Sequence, residues 1–195
     1  MIPQRNISLI SNALVTAGGR RIPEAVIERD HTFYLRYQGP LPAPNDVKID
    51  IAINEVLCFP LPDRPIHRIF DGFDDLPEGP TLKVYAIKEI VVEKLLALSD
   101  RARNEPRDLY DLWHLFDSAD LRIAELSAEL DAKLALRKRV IAGMEQAIAA
   151  KEDRLPRLWV NRLAHQTSQL PPFDEVFREV MRVVRAAGLP GPQAK

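Results

Sequence analysis

Along the chain, the spacing of apolar residues changes character three times. Residues 7–15 carry helical spacing and stop at Gly18-Gly19, and Pro23 opens a second expected helix to about Arg29. The period then shortens to two. Phe33, Leu35 and Tyr37 alternate with Thr32, Tyr34 and Arg36, which predicts a strand over 31–37. Gln38 to Asp46, with three prolines and a glycine, reads as a loop. Alternation returns at 47–53, with Val47, Ile49, Ile51 and Ile53 on one face and Lys48, Asp50 and Ala52 on the other. The two segments are expected to pair.

Pro60 to Pro80 is rich in proline and acids, with short strands expected at 66–70 and 81–85. From Ile87 onward the pattern is helical. Helices are expected at 87–102, 106–116, 121–151, 154–169 and 173–187, separated by proline or polar breaks. A small sheet followed by a helical bundle is an α+β arrangement. It divides into an α/β part at 1–86 and a helical part at 87–195.

Composition narrows the class. A 195-residue chain with 46% hydrophobic residues can bury a core and is not a disordered chain. The net charge of -1 favours no class of partner, so any basic surface must be local. One cysteine, Cys58, permits no intrachain disulfide and suits a reducing cytosol; it reads as a small buried apolar residue. The first residues lack the pattern of a secretion signal, and no apolar run approaches the roughly 20 residues of a membrane span. A cytoplasmic protein with no membrane partner is expected.

Candidate chemistry sits at three places. Asp50 lies between Ile49 and Ile51 on the second strand, with Lys48 two residues earlier on the same face. Such an acid is either on a solvated face, paired, or held for a metal. On the helix from Ile87, a projection at about 100° per residue puts Ile87, Ile90, Val91, Ala97 and Leu98 around Lys94, with Arg101 further along that line. A lysine amid apolar residues must snorkel out, pair with an acid, or be held for a purpose. On the next helix, Asp108 projects inside the apolar arc of Leu109, Leu112, Leu115 and Phe116, and Asp111 lies at its edge. Asp108 also occupies the first turn, where a plain capping role is open to it. A buried lysine and a buried aspartate on consecutive helices suggest a matched pair, with Lys94 holding a phosphate and Asp108 orienting it or assisting proton movement.

The weaker signals have bland readings beside them. His31, His67, His114 and His165 show no metal-like spacing. Arg137-Lys138-Arg139 and Arg154, Arg157 and Arg162 are either solvated helix faces or a groove for RNA phosphates. Trp113 and Trp159 read as core residues or helix anchors.

The segment Glu89-Ile90-Val91-Val92-Glu93-Lys94-Leu95-Leu96-Ala97-Leu98, then Arg101, then Pro106-Arg107-Asp108-Leu109-Tyr110-Asp111-Leu112-Trp113, resembles the AbiEii/AbiGii toxin family. The strand Lys48-Ile49-Asp50-Ile51, the opening Ile2-Pro3-Gln4-Arg5-Asn6-Ile7-Ser8 and the run Arg20 to Val26 extend the resemblance over nearly the whole chain. These are nucleotidyltransferase-fold proteins of abortive-infection and toxin–antitoxin systems. The resemblance implies nucleotide transfer from an NTP, with Mg²⁺, onto an acceptor such as transfer RNA or another RNA, and a cognate antitoxin as partner. It implies catalytic roles for Asp50 (also a metal ligand), Lys94 and Asp108. Lys48, Arg101, Arg107 and Asp111 become nucleotide-binding or supporting residues.

The chain departs from the fold's first motif, a Gly-Gly or Gly-Ser turn followed by Asp-x-Asp, in which the acids hold divalent metal. Gly18-Gly19 leads into Arg20-Arg21 and a proline. Asp46, Asp71, Asp74 and Asp75 lack the right context. Glu28-Arg29-Asp30 runs straight into His31-Thr32-Phe33, where the motif is expected. An internal deletion near residue 30 accounts for this, and leaves an incomplete sheet and an Asp50 without metal-sharing partners. Three expectations follow: a nucleotidyltransferase toxin with impaired or absent activity, a non-catalytic remnant that binds nucleotide, RNA or antitoxin, or an interaction or structural protein with no nucleotide site.

Overall fold

The computed structural model describes residues 27–29, 32–37, 45–50, 55–67, 79–118, 121–139 and 143–189. The expected helix at 7–15, the Gly18-Gly19 stop and residues 51–53 of the second strand lie outside them. The chain forms two compact units, one from Met1–Glu55 and Asp63–Leu82, the other from Val56–Pro62 and Lys83–Lys195. Its described elements give an α+β fold: short antiparallel strands first, then six α-helices.

In the first unit, β1 (Ile27–Arg29), β2 (Thr32–Tyr37) and β3 (Asn45–Asp50) form an antiparallel sheet in the order β1-β2-β3. Residues 27–29 are therefore strand, where a helix was expected from Pro23 to Arg29. Helix propensity is a weak prior, and it loses here to a partner strand that begins three residues later. Arg29 pairs with Thr32 and Ile27 with Tyr34. β3 starts at Asn45, earlier than the expected 47, because Asn45 lies opposite Tyr37 and Asp46 opposite Arg36. The Arg36 guanidinium grips Asp46 through Nε at 2.9 Å and Nη2 at 3.2 Å, which fixes that register on the exposed face.

The chain then forms a two-stranded ribbon from β4 (Asp63–Pro65) and β5 (Thr81–Lys83). The strand expected at 66–70 is displaced to 63–65, and 68–70 lie outside the described residues.

The helical unit holds α1 (Ile87–Ser99), α2 (Pro106–Ser118), a 3-10 turn (Ile123–Leu126), α3 (Ser127–Leu136), α4 (Met144–Ala149), α5 (Pro156–Leu163) and α6 (Phe173–Ala186). Its core runs from Val92, Leu95 and Leu96 through Leu109 and Leu112 to Leu130, Leu134, Ile148, Trp159, Val176 and Val180. The single helix expected at 121–151 is broken. Lys138 adopts φ 52° and Gly143 φ 86°, left-handed values that end one helix and begin another. The 154–169 expectation shortens to Pro156–Leu163, where proline occupies the first turn and needs no hydrogen bond. An aromatic chain of Tyr110, Trp159, Phe173 and Phe177, with centroids 5.4 to 6.3 Å apart, ties α2, α5 and α6 together.

Candidate functional site

The site is built on the α1–α2 hairpin. α1 buries Glu89, Val91, Val92, Leu95, Leu96, Leu98 and Ser99. Ile87 is exposed, and Ile90 and Ala97 are only partly covered. Lys94 is thus at the edge of the buried face rather than at the centre of it, as the helical projection had implied. From that edge its ammonium reaches across to α2. It meets Asp108 Oδ1 at 3.0 Å and Asp111 Oδ2 at 2.5 Å. The lysine side chain is 22% exposed and that of Asp108 only 2%. The pairing expected from sequence is present, and Asp111 takes part in it.

A second cation completes the cluster. Arg103 Nε donates to Asp108 Oδ2 at 2.6 Å, so each oxygen of this buried carboxylate faces a different positive group. Burial lowers the affinity of Lys94 for its proton, but hydrogen bonds to Asp111 and Asp108 outweigh burial and hold its pKa above the ordinary lysine value. Lys94 is therefore a fixed cation at neutral pH. Arg103 gives no helical-period signal, since it lies in the Asp100–Glu105 connection where periodicity does not apply.

That connection is itself anchored. Asp100 Oδ1 accepts from the Ala102 N–H at 2.9 Å. Lys151, only 2% exposed, donates to the Asp100 carbonyl at 2.6 Å, to the Arg103 carbonyl, and to Asn104 Oδ1 at 3.1 Å. Burial, then repulsion from Arg154, push its pKa down. A buried lysine that spends its donors on two backbone carbonyls and the Asn104 side chain holds the segment that carries Arg103.

A second buried network lies further up α1. Glu89 is fully buried, accepts from the backbone N–H groups of Cys58 and Phe59 at 2.9 and 3.0 Å through Oε2, and forms an ion pair with Lys133. Lys133 also meets Glu93 at 2.5 Å, and Arg137 meets Glu93 at 2.8 Å. Sequence reasoning missed this network, although acids four apart on α1 facing bases four apart on α3 are a readable pattern.

The remaining expected residues fall elsewhere. Lys48 and Asp50 lie on the exposed face of β3 and pair with each other at 2.9 Å, with side chains 53% and 61% exposed. Asp50 thus lies on a solvated face beside a lysine partner. Arg101 lies beyond the end of α1 at Ser99, so the helical projection does not extend to it, and it lines a separate cavity. Arg107 is exposed on α2. Lys48 is the partner seen at the Asp50 carboxylate, and among the described residues no group of three acids, histidines or cysteines able to hold a metal occurs.

A model of the nucleotidyl transferase AbiEii toxins of type IV toxin–antitoxin systems matches residues 4–179. The chain belongs to the AbiEii family. That membership supports the α+β nucleotidyltransferase-like reading and joins this AbiEii chain to a family of toxins that act on nucleotides alongside an antitoxin. Comparison with curated proteins and with solved structures gave no match. Among the described residues, no helix is long and apolar enough to cross a membrane.

Proposed function

We propose that this AbiEii chain binds an NTP through Lys94 in its helical unit, that it acts in the cytoplasm against RNA within a toxin–antitoxin pair, and that its own nucleotidyl transfer is impaired. The observation that carries the reading is the contact of Lys94 with Asp108 and Asp111 on the neighbouring helix. Two carboxylates against Lys94 and Arg103 leave the cluster near neutrality. A triphosphate that takes Lys94 must exchange for one of them. Asp111, with a side chain 32% exposed, can turn to water, whereas Asp108 is held from its other side by Arg103. Asp111 then works as a counter-ion released on binding, and Asp108 as the fixed acid that orients the lysine.

The impairment follows from the acids. In transfer from an NTP an acceptor hydroxyl loses its proton and its oxygen bonds to the α-phosphorus, while the bond to the β-phosphate breaks and pyrophosphate leaves, with negative charge building on both sides. The resemblance to nucleotidyltransferases implies Mg²⁺ as the source of the neutralising charge. The missing Asp-x-Asp motif and the ion-paired Asp50 argue against a competent metal site formed by this chain alone.

The test has two arms. NTP-dependent thermal stabilisation is expected for the wild type and lost in Lys94→Ala. Transfer of α-labelled NTP to total transfer RNA, with Mg²⁺, is expected to be weak or absent. Strong transfer that disappears in Lys94→Ala and Asp50→Ala overturns the impairment. Stabilisation that persists in Lys94→Ala overturns the nucleotide role of this lysine.

A further inference from the structure

The helical unit contains a cavity of about 430 Å³ beside the C-terminal end of α1, within the size range of small-ligand sites. Leu134 of α3 and Met144 and Ala147 of α4 line it together with Asp100, Arg101 and Arg139. None of Lys94, Asp108 and Asp111 lines it, so it is distinct from the cluster described above. Ala147, with the edges of the almost fully buried Leu134 and Met144, gives the cavity an apolar wall.

Its rim is cationic and partly pre-set. Arg139 Nη2 donates to the Ser99 carbonyl at 3.0 Å, and its Nη1 lies 3.6 Å from Asp100 Oδ2. The guanidinium is thus held in place and also covers a carbonyl at the end of α1, where an anion would otherwise be repelled. Asp100 is committed as well, through Oδ1, to the Ala102 N–H at 2.9 Å. Arg101 is exposed, and no hydrogen bond or ion pair engages it among the described residues. One anchored guanidinium, one free guanidinium and one neutralised acid leave net positive charge above an apolar wall.

We infer that this cavity binds a phosphorylated nucleoside, its base against Ala147 and the edges of Met144 and Leu134 and its phosphate on Arg101 and Arg139. A bare phosphate does not need the apolar wall, and an apolar ligand does not need two arginines. Arginine suits phosphate because its planar fork donates two hydrogen bonds to it. The ligand is either a free nucleotide or the terminal nucleotide of an RNA. This cavity and the Lys94 cluster each draw an arginine from the Asp100–Arg103 segment, whose backbone Lys151 grips at both ends.

Methionine supplies the probe. The chain has three methionines, and of the two within the described helices Met144 lines the cavity while Met181 lies in the core on α6. The full chain, labelled with ¹³C at its methionine methyls and assigned with Met144→Leu, is titrated separately with each nucleoside 5′-monophosphate and with a short single-stranded RNA. The expected result is a saturable shift of the Met144 methyl with Met181 unmoved. Loss of a charged hydrogen-bond partner in Arg101→Ala should weaken that binding about tenfold. Ala147→Phe, which fills the cavity, should abolish it, with an unchanged Met181 signal as the check on folding. Lys94→Ala should leave it intact, which separates this site from the proposed NTP site. A shift with the RNA alone assigns the ligand as an RNA end, and a shift with a mononucleotide assigns a free nucleotide. No Met144 shift with any ligand overturns the inference, as does a shift that survives both Arg101→Ala and Ala147→Phe or vanishes in Lys94→Ala.

Discussion

Glu89 offers the sharpest test of how the helical unit is held together. Its carboxylate is fully buried, accepts two backbone hydrogen bonds from Cys58 and Phe59, and faces a Lys133 side chain that is 3% exposed. In Glu89→Gln the amide oxygen can still accept both N–H groups, so the backbone contacts are preserved and the charge alone is removed. Lys133 is then left with Glu93, and the new NH₂ group turns toward its ammonium. Removing one partner of a buried ion pair costs about 3–5 kcal/mol, and the surviving Glu93 contact places this variant near the lower end. For a chain of this size that is a fall in Tm of roughly 10 °C. Lys133→Met should cost at least as much, because it strands Glu89 in the core. The double variant removes both charges, keeps the amide acceptor and fills the space with apolar atoms. It should therefore be more stable than either single variant. Urea unfolding at pH 7 followed by circular dichroism measures all four proteins, with equal m-values as the check that the same transition is compared. Single variants within about 1 kcal/mol of wild type, or a double variant that loses the sum of both, would refute the argument, since either outcome means the pair contributes nothing beyond its parts.

Other perturbations carry their own signs. Asp111→Asn removes the exposed counter-ion of Lys94, so nucleotide-dependent stabilisation should increase at equal NTP concentration; a decrease would show that Asp111 contacts the ligand itself. Burial raises the Glu93 pKa, but the hydrogen bonds from Lys133 and then Arg137 overcome it and hold it below the ordinary carboxylate value. Its contribution is therefore complete above the unfolded pKa of about 4.5 and is lost as pH falls through the folded value. Acid titration of stability should accordingly be shallower in Glu93→Gln than in wild type. Trp159→Phe keeps most of the ring packing but loses the Nε1 hydrogen bond to the Pro171 carbonyl at 3.0 Å, and should cost about 1–2 kcal/mol in urea unfolding.

How far the sequence reveals this molecule depends on whether a signal is local. The strand at 32–37 is legible because alternation is a local property, and so are the starts of α2 and α6, where Pro106 and Pro172 punctuate the chain. Ile27–Arg29 reads as helix because its pairing with β2 is invisible to local propensity. The break between α3 and α4 depends on a lysine in a left-handed conformation at 138, which nothing in the composition of that run announces. At the site, the Lys94–Asp108 pair is legible from apolar arcs on two consecutive helices. The rotation of α1 is not, since Val92, Leu95 and Leu96 are apolar on more than one side and the projection alone does not choose between them. Arg103 and Lys151 are hidden for another reason. One lies in a connection and the other 48 residues away, and only the folded chain brings their atoms together.

Lys151 shows why that last gap bears on function. Its ammonium grips the backbone on either side of Arg101 and Arg103, the two arginines that face different sites. Replacing it with methionine leaves the Asp100 and Arg103 carbonyls without their donor, and the segment is expected to relax. Arg103 would then lose its hold on Asp108, and Arg101 its place at the cavity. Arginine at 151 retains a cation and donors, though its fork does not reproduce the three converging contacts. A purely structural lysine predicts lower stability in Lys151→Met with unchanged ligand response at a temperature where the variant stays folded. A positioning lysine predicts that both the NTP-dependent stabilisation and the Met144 shift weaken together in the folded variant, with partial recovery in Lys151→Arg. Because burial depresses the pKa of this lysine, the sign with pH is fixed as well. Between its folded pKa and the higher unfolded value, the unfolded chain binds more protons, so the Lys151 contribution to stability rises with pH. Lys151→Met removes that rise. An alkaline stability profile that is the same for wild type and Lys151→Met would mean that burial does not depress the pKa of this ammonium.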